Sequence, residues 1–270
     1  MKLGLLGPEG TFSEMAAKRW RPDAELIFME DMESAVRAVD KGLCGESIVP
    51  IENSLEGPVG VVMDLLLEVD SRIVGELIVP VKQCLMSRGE PGDIKVILSH
   101  PQALGQCRSF LRDHFPGAEI RSTGSTAHAA KLAQEIPGMA AIGCSESAKK
   151  YGLKVLQEDI QDYKSNHTRF IVLGNSVPGP SGNDKTSLAV YLDRDRPGAL
   201  YEFLGEFAKR SINMIRIESR PSKKGLGDYW FFIDVEGHVA DAGLQESISA
   251  LNDKCTTLKI LGSYPRAVGI

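Results

Sequence analysis

Hydrogen-bond donors crowd one short stretch of this chain. Asn166, His167, Thr168 and Arg169 are four consecutive side chains able to donate, set directly before Phe170 and the apolar strand-like run "IVLG" (171–174). Donors where a buried strand should begin need partners. Three other stretches are rich in small polar residues at the entrance of a helical pattern: "GPEGTFSE" (7–14), "SHPQALGQC" (99–107) and "STGSTAHAA" (122–130). A helix N-terminus carries unpaired N–H groups and the positive end of the helix dipole, so each junction can cradle a carboxylate or phosphate. Simple capping explains any one of them. Three together, at strand ends in a pattern of alternating strands and helices, point to an anionic ligand. "GPEG" is neither a Walker loop nor GxGxxG, so a nucleotide is not indicated.

A fifth stretch, "VPIENSLEGPVG" (49–60), ends a strand with Glu52 and Asn53. Asn53 can orient a hydroxyl or carboxylate, or merely close an Asx turn. His100 precedes Pro101 at a helix start and reads as a surface or supporting residue. The five cysteines have no CxxC spacing and the five histidines no HxxxH or HExxH spacing. Reduced, mostly buried thiols and no metal centre are expected. Towards the C-terminus, "RPGAL" (196–200) opens a helix and "IESRPSKKG" (217–225) ends a strand, which together suggest a small-ligand pocket.

The elements that must position these residues fall into two groups. The chain has 270 residues, 43% hydrophobic and 25% charged, which suits one large domain or two smaller ones. Its net charge of −5 argues against nucleic acid or an anionic membrane as partner. No stretch approaches the roughly 18 apolar residues of a membrane-spanning helix. The apolar start is too short for a signal-peptide core, so a cytoplasmic location is expected. Pro, Gly and Ser accumulate towards residue 185, giving a linker at 176–185 between a domain at 1–175 and one at 186–270. The first domain alternates strands and helices and predicts an α/β fold with parallel strands. Its long strand patterns at 72–81 and about 154–173 could cross between two lobes. The second domain reads βαββαβ, the ferredoxin-like order.

With these motifs assembled, the chain resembles the monofunctional, amino-acid-regulated prephenate dehydratases over nearly its whole length. The matching segments are "GPEGTFSE", "VPIENSLEG", "SHPQALGQC", "TGSTAHAA", "AAIGCSESAKKYGL" (140–153) and "NHTRFIVLG" (166–174), followed by "GALYEFL" and "ESRP". Ser147 and Ala148 stand where that family usually has paired alanines. The resemblance implies a two-lobed fold like type II periplasmic binding proteins, with the site in the cleft, followed by a regulatory ACT domain. No chorismate mutase segment is expected before residue 1.

The family's reaction is the decarboxylating dehydration of prephenate to phenylpyruvate, CO2 and water, with no cofactor and no metal. By resemblance, Thr168, Glu52, Asn53, Ser99 and Gln106 carry the chemistry, with Thr168 most closely tied to catalysis. Donation of a hydrogen bond from Thr168 to the leaving oxygen suits an alcohol better than full proton transfer, with Glu52 or His167 as proton source. Substrate binding falls to Arg169, a bidentate carboxylate partner, and to Phe170, Thr11, Ser13, Ser125 and Thr126. In the ACT domain Gly198, Ala199, Leu200, Glu218, Ser219, Arg220 and Pro221 would bind L-phenylalanine as feedback inhibitor, in a homodimer or homotetramer. Arogenate dehydratase is the near alternative, and a non-enzymatic sensor a remoter one.

Overall fold

A computed structural model describes residues 1–192, 197–252 and 254–267. Three bodies follow one another along the chain. The first lobe contains β1 (Lys2–Leu6), α1 (Phe12–Trp20), β2 (Glu25–Met29), α2 (Met32–Arg37), β3 (Glu46–Asn53), β4 (Gly57–Pro58), α3 (Gly60–Leu66) and β5 (Arg72–Pro80). The chain then crosses into a second lobe with β6 (Cys84–Ser87), β7 (Val96–Ser99), α4 (Pro101–Gln106), α5 (Arg108–His114), β8 (Glu119–Ser122), α6 (Thr126–Glu135), β9 (Met139–Gly143), α7 (Ser145–Tyr151) and β10 (Lys154–Gln157). It returns through β11 (His167–Gly174) to the first lobe. The last body is β12 (Asp184–Tyr191), α8 (Ala199–Ala208), β13 (Met214–Pro221), β14 (Tyr229–Glu236), α9 (Ala242–Asn252) and β15 (Thr257–Pro265), the expected βαββαβ order.

The two-lobed expectation holds, with both crossings where the long strand patterns stood. The sheets, however, are mixed rather than parallel. β1 pairs in parallel with β2 and β3, and β7 with β8 and β9. The strands next to the crossings are reversed: β11 runs antiparallel to β3 and β5, and β6 antiparallel to β9. The pattern at 154–173 splits into β10 and β11, in different sheets, because the polar stretch between them spans the lobes. The helix that opens at Pro101 ends at Cys107, whose ψ of 22° closes α4 before α5 begins.

Two sheets organise the described residues. One runs β10-β6-β9-β7-β8; the other runs β13-β14-β12-β15-β5-β11-β3-β1-β2, with β4 hydrogen-bonded to β3. The larger sheet therefore continues from the first lobe into the last body. The seam is one parallel pair, Gly262 with Ile73. A Cβ on Gly262 would stand 2.2 Å from the Ile73 carbonyl oxygen, so only glycine permits that approach.

Packing ties the bodies more firmly than a linker would. Ala189, Phe232, Leu261 and Tyr264 share one buried core with Met63, Ile73, Ile171 and Leu173 of the first lobe. The other face of the last sheet packs on α8 and α9 through Leu188, Phe203, Phe207, Ile233 and Leu251. The expected linker is shorter at its C-terminal end: Asp184 and Lys185 belong to β12 and are buried. Arg196, the first residue of "RPGAL", lies outside the described residues, as do 193–195, 253 and 268–270 of the expected second domain. Among the described residues no helix is long and apolar enough to cross a membrane.

Candidate active site

Three helix entrances converge between the lobes. Thr11 caps α1 by accepting from Glu14 N (3.4 Å), and Ser125 caps α6 by accepting from His128 N (3.0 Å). His100 Nδ1 accepts from Gln102 N (3.3 Å) at the start of α4. At α1 the capping box is modified: the Glu14 carboxylate accepts from Gly10 N, one residue before the cap. With Thr11 and Ser125 used as caps, Ser13 and Thr126 supply the further hydroxyls of the first turns. All four line a cavity of ≈ 280 Å³ together with Gly7, Asn53, Gln83, His100, Gln102, Gln106, Gly124 and Thr168.

Among the described residues, no Asp, Glu, Lys or Arg lines this cavity. Its donors are hydroxyls, amides, backbone N–H groups and the His100 imidazole, backed by the positive ends of helix dipoles. A second, more open groove of ≈ 550 Å³ lies along α4, α5 and β8. Leu104, Leu111, Phe115 and Ile120 line it together with Arg108 and Arg112, and none of the donors at 166–169 reaches it.

Thr168 is reached through β11, whose Phe170, Ile171, Val172 and Leu173 are buried on both faces between β3 and β5. The polar start of the strand projects past this core. Register places Thr168 opposite Asn53. Asn53 Nδ2 donates to Thr168 Oγ1 (2.9 Å) and to Asn166 Oδ1 (2.9 Å). Asn53 Oδ1 accepts from Leu55 N (3.0 Å) and Glu56 N (3.1 Å), so the Asx turn forms as well. Asn166 Nδ2 in turn donates to Gln106 Oε1 (3.0 Å). Because Thr168 Oγ1 accepts from Asn53, its O–H is left to donate into the cavity, and the accepted bond polarises it further.

Several expected site residues stand elsewhere. Arg169 faces the opposite side of β11, as strand alternation demands when Thr168 faces the cleft. Its guanidinium contacts Glu52 (3.2 Å), Glu76 (3.2 Å) and Asp234 (3.0 Å), and it does not line the cavity. Burial alone would lower its pKa; Asp234, Tyr264, Glu76 and Glu52 outweigh that and raise it. Glu52 is drawn to the same side by Arg169 and Arg216, so it is no proton source in the cavity wall, and His167 does not line the cavity either.

Phe170 is 1% exposed in a core with Leu3, Leu5, Ala16 and Leu77, out of reach of a substrate. Ser99 is fully buried and donates to the Ile142 carbonyl oxygen (2.6 Å), fixing β7 to β9 beneath the cleft. Asn166 was visible only as one donor of four, and its bridging role depends on the fold. Gln83 of the first crossing carried no sequence signal.

In the last body, Tyr191 and Arg220 both pair with Trp230. That register brings the end of β12 and the end of β13 to the same end of the sheet, on either side of β14. Gly198, at φ 87°, starts α8 in the left-handed region. Ser219 and Pro221 are exposed on β13, but Arg220 turns to the first lobe and contacts Asp64 (3.1 Å). Arg220 thus ties the bodies together rather than facing the expected effector pocket. Burial pushes the Cys84 thiol up to about 11 and the Cys107 thiol up to about 12, as suits core thiols.

The match to other proteins is full-length. The prephenate dehydratase family model covers residues 3–177 and the ACT domain model residues 186–253. A prephenate dehydratase of Methanocaldococcus jannaschii is 42% identical, over 96% of each chain. This chain belongs to the prephenate dehydratase family. The crystal structure of the Arthrobacter aurescens prephenate dehydratase in complex with L-Phe superimposes at a TM-score of 0.91 and 38% identity, over 99% of this chain and 90% of that one. GqqA, a quorum-quenching acylase, superimposes at 0.90 and 28% identity over 99% of each chain. The prephenate dehydratase segment comprises both lobes and the cavity between them. The ACT segment is the body that shares its core with the first lobe.

Proposed function

We propose that the cleft converts prephenate to phenylpyruvate with Thr168 as donor to the leaving hydroxyl. The observation that carries this reading is the Asn53 bond to Thr168 Oγ1, which aims the threonine proton at the cavity. Prephenate is a dianion, and its products are the phenylpyruvate monoanion, CO2 and hydroxide, which becomes water on taking a proton. As the ring carboxylate leaves as CO2, its electron pair enters the ring and expels the hydroxyl, and aromatisation drives the step. A hydrogen bond to that oxygen strengthens as charge builds on it, so it counts mainly in the transition state.

Neutral donors suit the carboxylates for a related reason. The ring carboxylate loses its charge during reaction, and a strong ion pair with an arginine would stabilise the starting state. The entrances at Ser13, Thr126 and Gln102 hold the anion without that penalty. The lining also favours prephenate over arogenate, whose ammonium would meet no carboxylate among the described lining residues. An acylase would need an activated nucleophile, whereas among the described residues no hydroxyl lining the cavity is hydrogen-bonded to a histidine ring.

For regulation, L-phenylalanine would bind near Gly198, Ala199, Leu200, Glu218 and Ser219. β13 is the edge strand of the larger sheet and exposes Ile215 and Ile217, which supports side-by-side pairing in a dimer or tetramer. Comparing kcat/KM for prephenate and arogenate, with phenylpyruvate followed by absorbance in base, tests the substrate assignment. A marked preference for prephenate is expected; equal or better use of arogenate would overturn it.

A further inference from the structure

One rung behind the Thr168–Asn53 pair, the same two strands carry an ion pair. Register sets Arg169 opposite Glu52, with Thr168 opposite Asn53 as the next pair along. Both charged partners are gripped from the ACT domain. Asp234 of β14 lies 3.0 Å from Arg169, and Arg216 of β13 lies 3.3 Å from Glu52. Asp234 is itself held by Ser187 Oγ, which donates to its Oδ1 (2.6 Å) and bonds the Tyr264 hydroxyl (2.7 Å). Glu76 of β5 completes the cluster, bridging Arg169 and Lys185 of β12. Three cations and three anions thus meet with most of their side chains out of solvent.

We propose that Asp234 and Arg216 are positioning residues of the ACT domain, which hold the Thr168–Asn53 pair in register through Arg169 and Glu52, and that an effector on that domain is felt in the cleft at this rung. The inference rests on Thr168 being the donor of the reaction. β13 supplies Arg216 and, two residues on, Glu218 of the expected effector site, with Arg216 and Glu218 3.9 Å apart. A shift of this strand is therefore passed to Glu52 without an intervening loop. The cluster also has slack. Arg169 Nε is buried without a hydrogen-bond partner, and Asp234 Oδ2, though at ion-pair distance, is not aligned for a hydrogen bond. A small displacement of β14 can exchange one Arg169–Asp234 arrangement for another, which gives the rung two states to be selected between.

The test uses the full chain and prephenate turnover. Asp234→Asn keeps the shape and the Ser187 bond but removes the charge that holds Arg169. It should lower kcat roughly tenfold to a hundredfold, the scale of a small misplacement at the reacting centre, with KM within about twofold. It should also shift the L-phenylalanine concentration needed for half-inhibition. Combined with Thr168→Ala the same substitution should cost less than about twofold in kcat, because the group being positioned is already gone. Arg216→Gln breaks the second tie and should read the same way, including where Asp234→Asn fails to fold. A loss of equal size with and without Thr168→Ala, or parent kcat and parent inhibition in both variants, would overturn the proposal. Prephenate turnover by the parent chain stands or falls separately from these ratios, so failure of the functional reading is told apart from failure of the positioning role.

Discussion

The two faces of β11 at its cleft end could hardly differ more. On one, Thr168 meets a cavity whose wall, among the described residues, holds no Asp, Glu, Lys or Arg. On the other, one residue along, Arg169 sits among Glu52, Glu76 and Asp234. The difference teaches where charge is useful. A buried ion cluster with good partners fixes geometry, and it costs several kcal/mol when one partner is removed. Facing the substrate, the same arginine would pair with a carboxylate that must give up its charge. The fold puts the rigidifying charges behind the strand and the softer donors in front.

The largest effect that would sharpen this contrast is on the cleft face. Thr168→Ala should lower kcat by about 10²–10³, the range for losing one preorganised donor, with KM little changed. Thr168→Ser should recover part of the rate, and near-parent kcat in the alanine variant would break the assignment. Asn53→Ala comes next. It removes the donor that aims Thr168 and leaves Asn166 Oδ1 without that bond, a cost of about 1–3 kcal/mol for a buried unpaired group. A kcat loss of about tenfold to a hundredfold is expected in steady-state assays, smaller than for Thr168→Ala.

A smaller effect, away from both faces, concerns stability. Glu46 at the start of β3 accepts from Arg21 (2.7 and 2.8 Å) and Trp20 (2.9 Å). Arg21 lowers its pKa, and Trp20 adds to this against the opposing effect of burial. The contribution is therefore present above the unfolded glutamate value of about 4.3 and is lost as pH falls through the lower folded value. Glu46→Gln should cost about 1–2 kcal/mol at pH 7, since Arg21 is half in solvent, and should flatten the loss of stability on acidification below about pH 4. Denaturant melts at several pH values check it; an unchanged acid slope would show that Glu46 is not a contributor.

Local chemistry was the legible part of the sequence. Thr11 and Ser125 cap the helices whose polar entrances the sequence marked, because a cap depends only on residues three or four apart. The βαββαβ order is likewise visible in the spacing of apolar residues. What needed the structure was direction. Arg169 beside Thr168 reads as one donor cluster until strand register is known, although period two already forbids neighbours from sharing a face. Ser99 and Phe170 belong to segments of the site without touching it, since motifs report both what binds and what supports. Lys185 looked like part of a polar linker, and only its pairing with Glu76 (2.9 Å) reveals a buried interdomain tie.

The separation of the two faces is tested most directly by the kinetics of Arg169→Lys, measured for kcat and KM together on prephenate. Lysine keeps the charge but loses the fork that reaches Glu52, Glu76 and Asp234 at once. The expected result is a kcat lowered about tenfold with KM for prephenate within about twofold of the parent, because the cleft wall is untouched and only the neighbouring Thr168 is misplaced. A KM raised tenfold or more at near-parent kcat would mean that Arg169 binds the substrate, and would contradict the account.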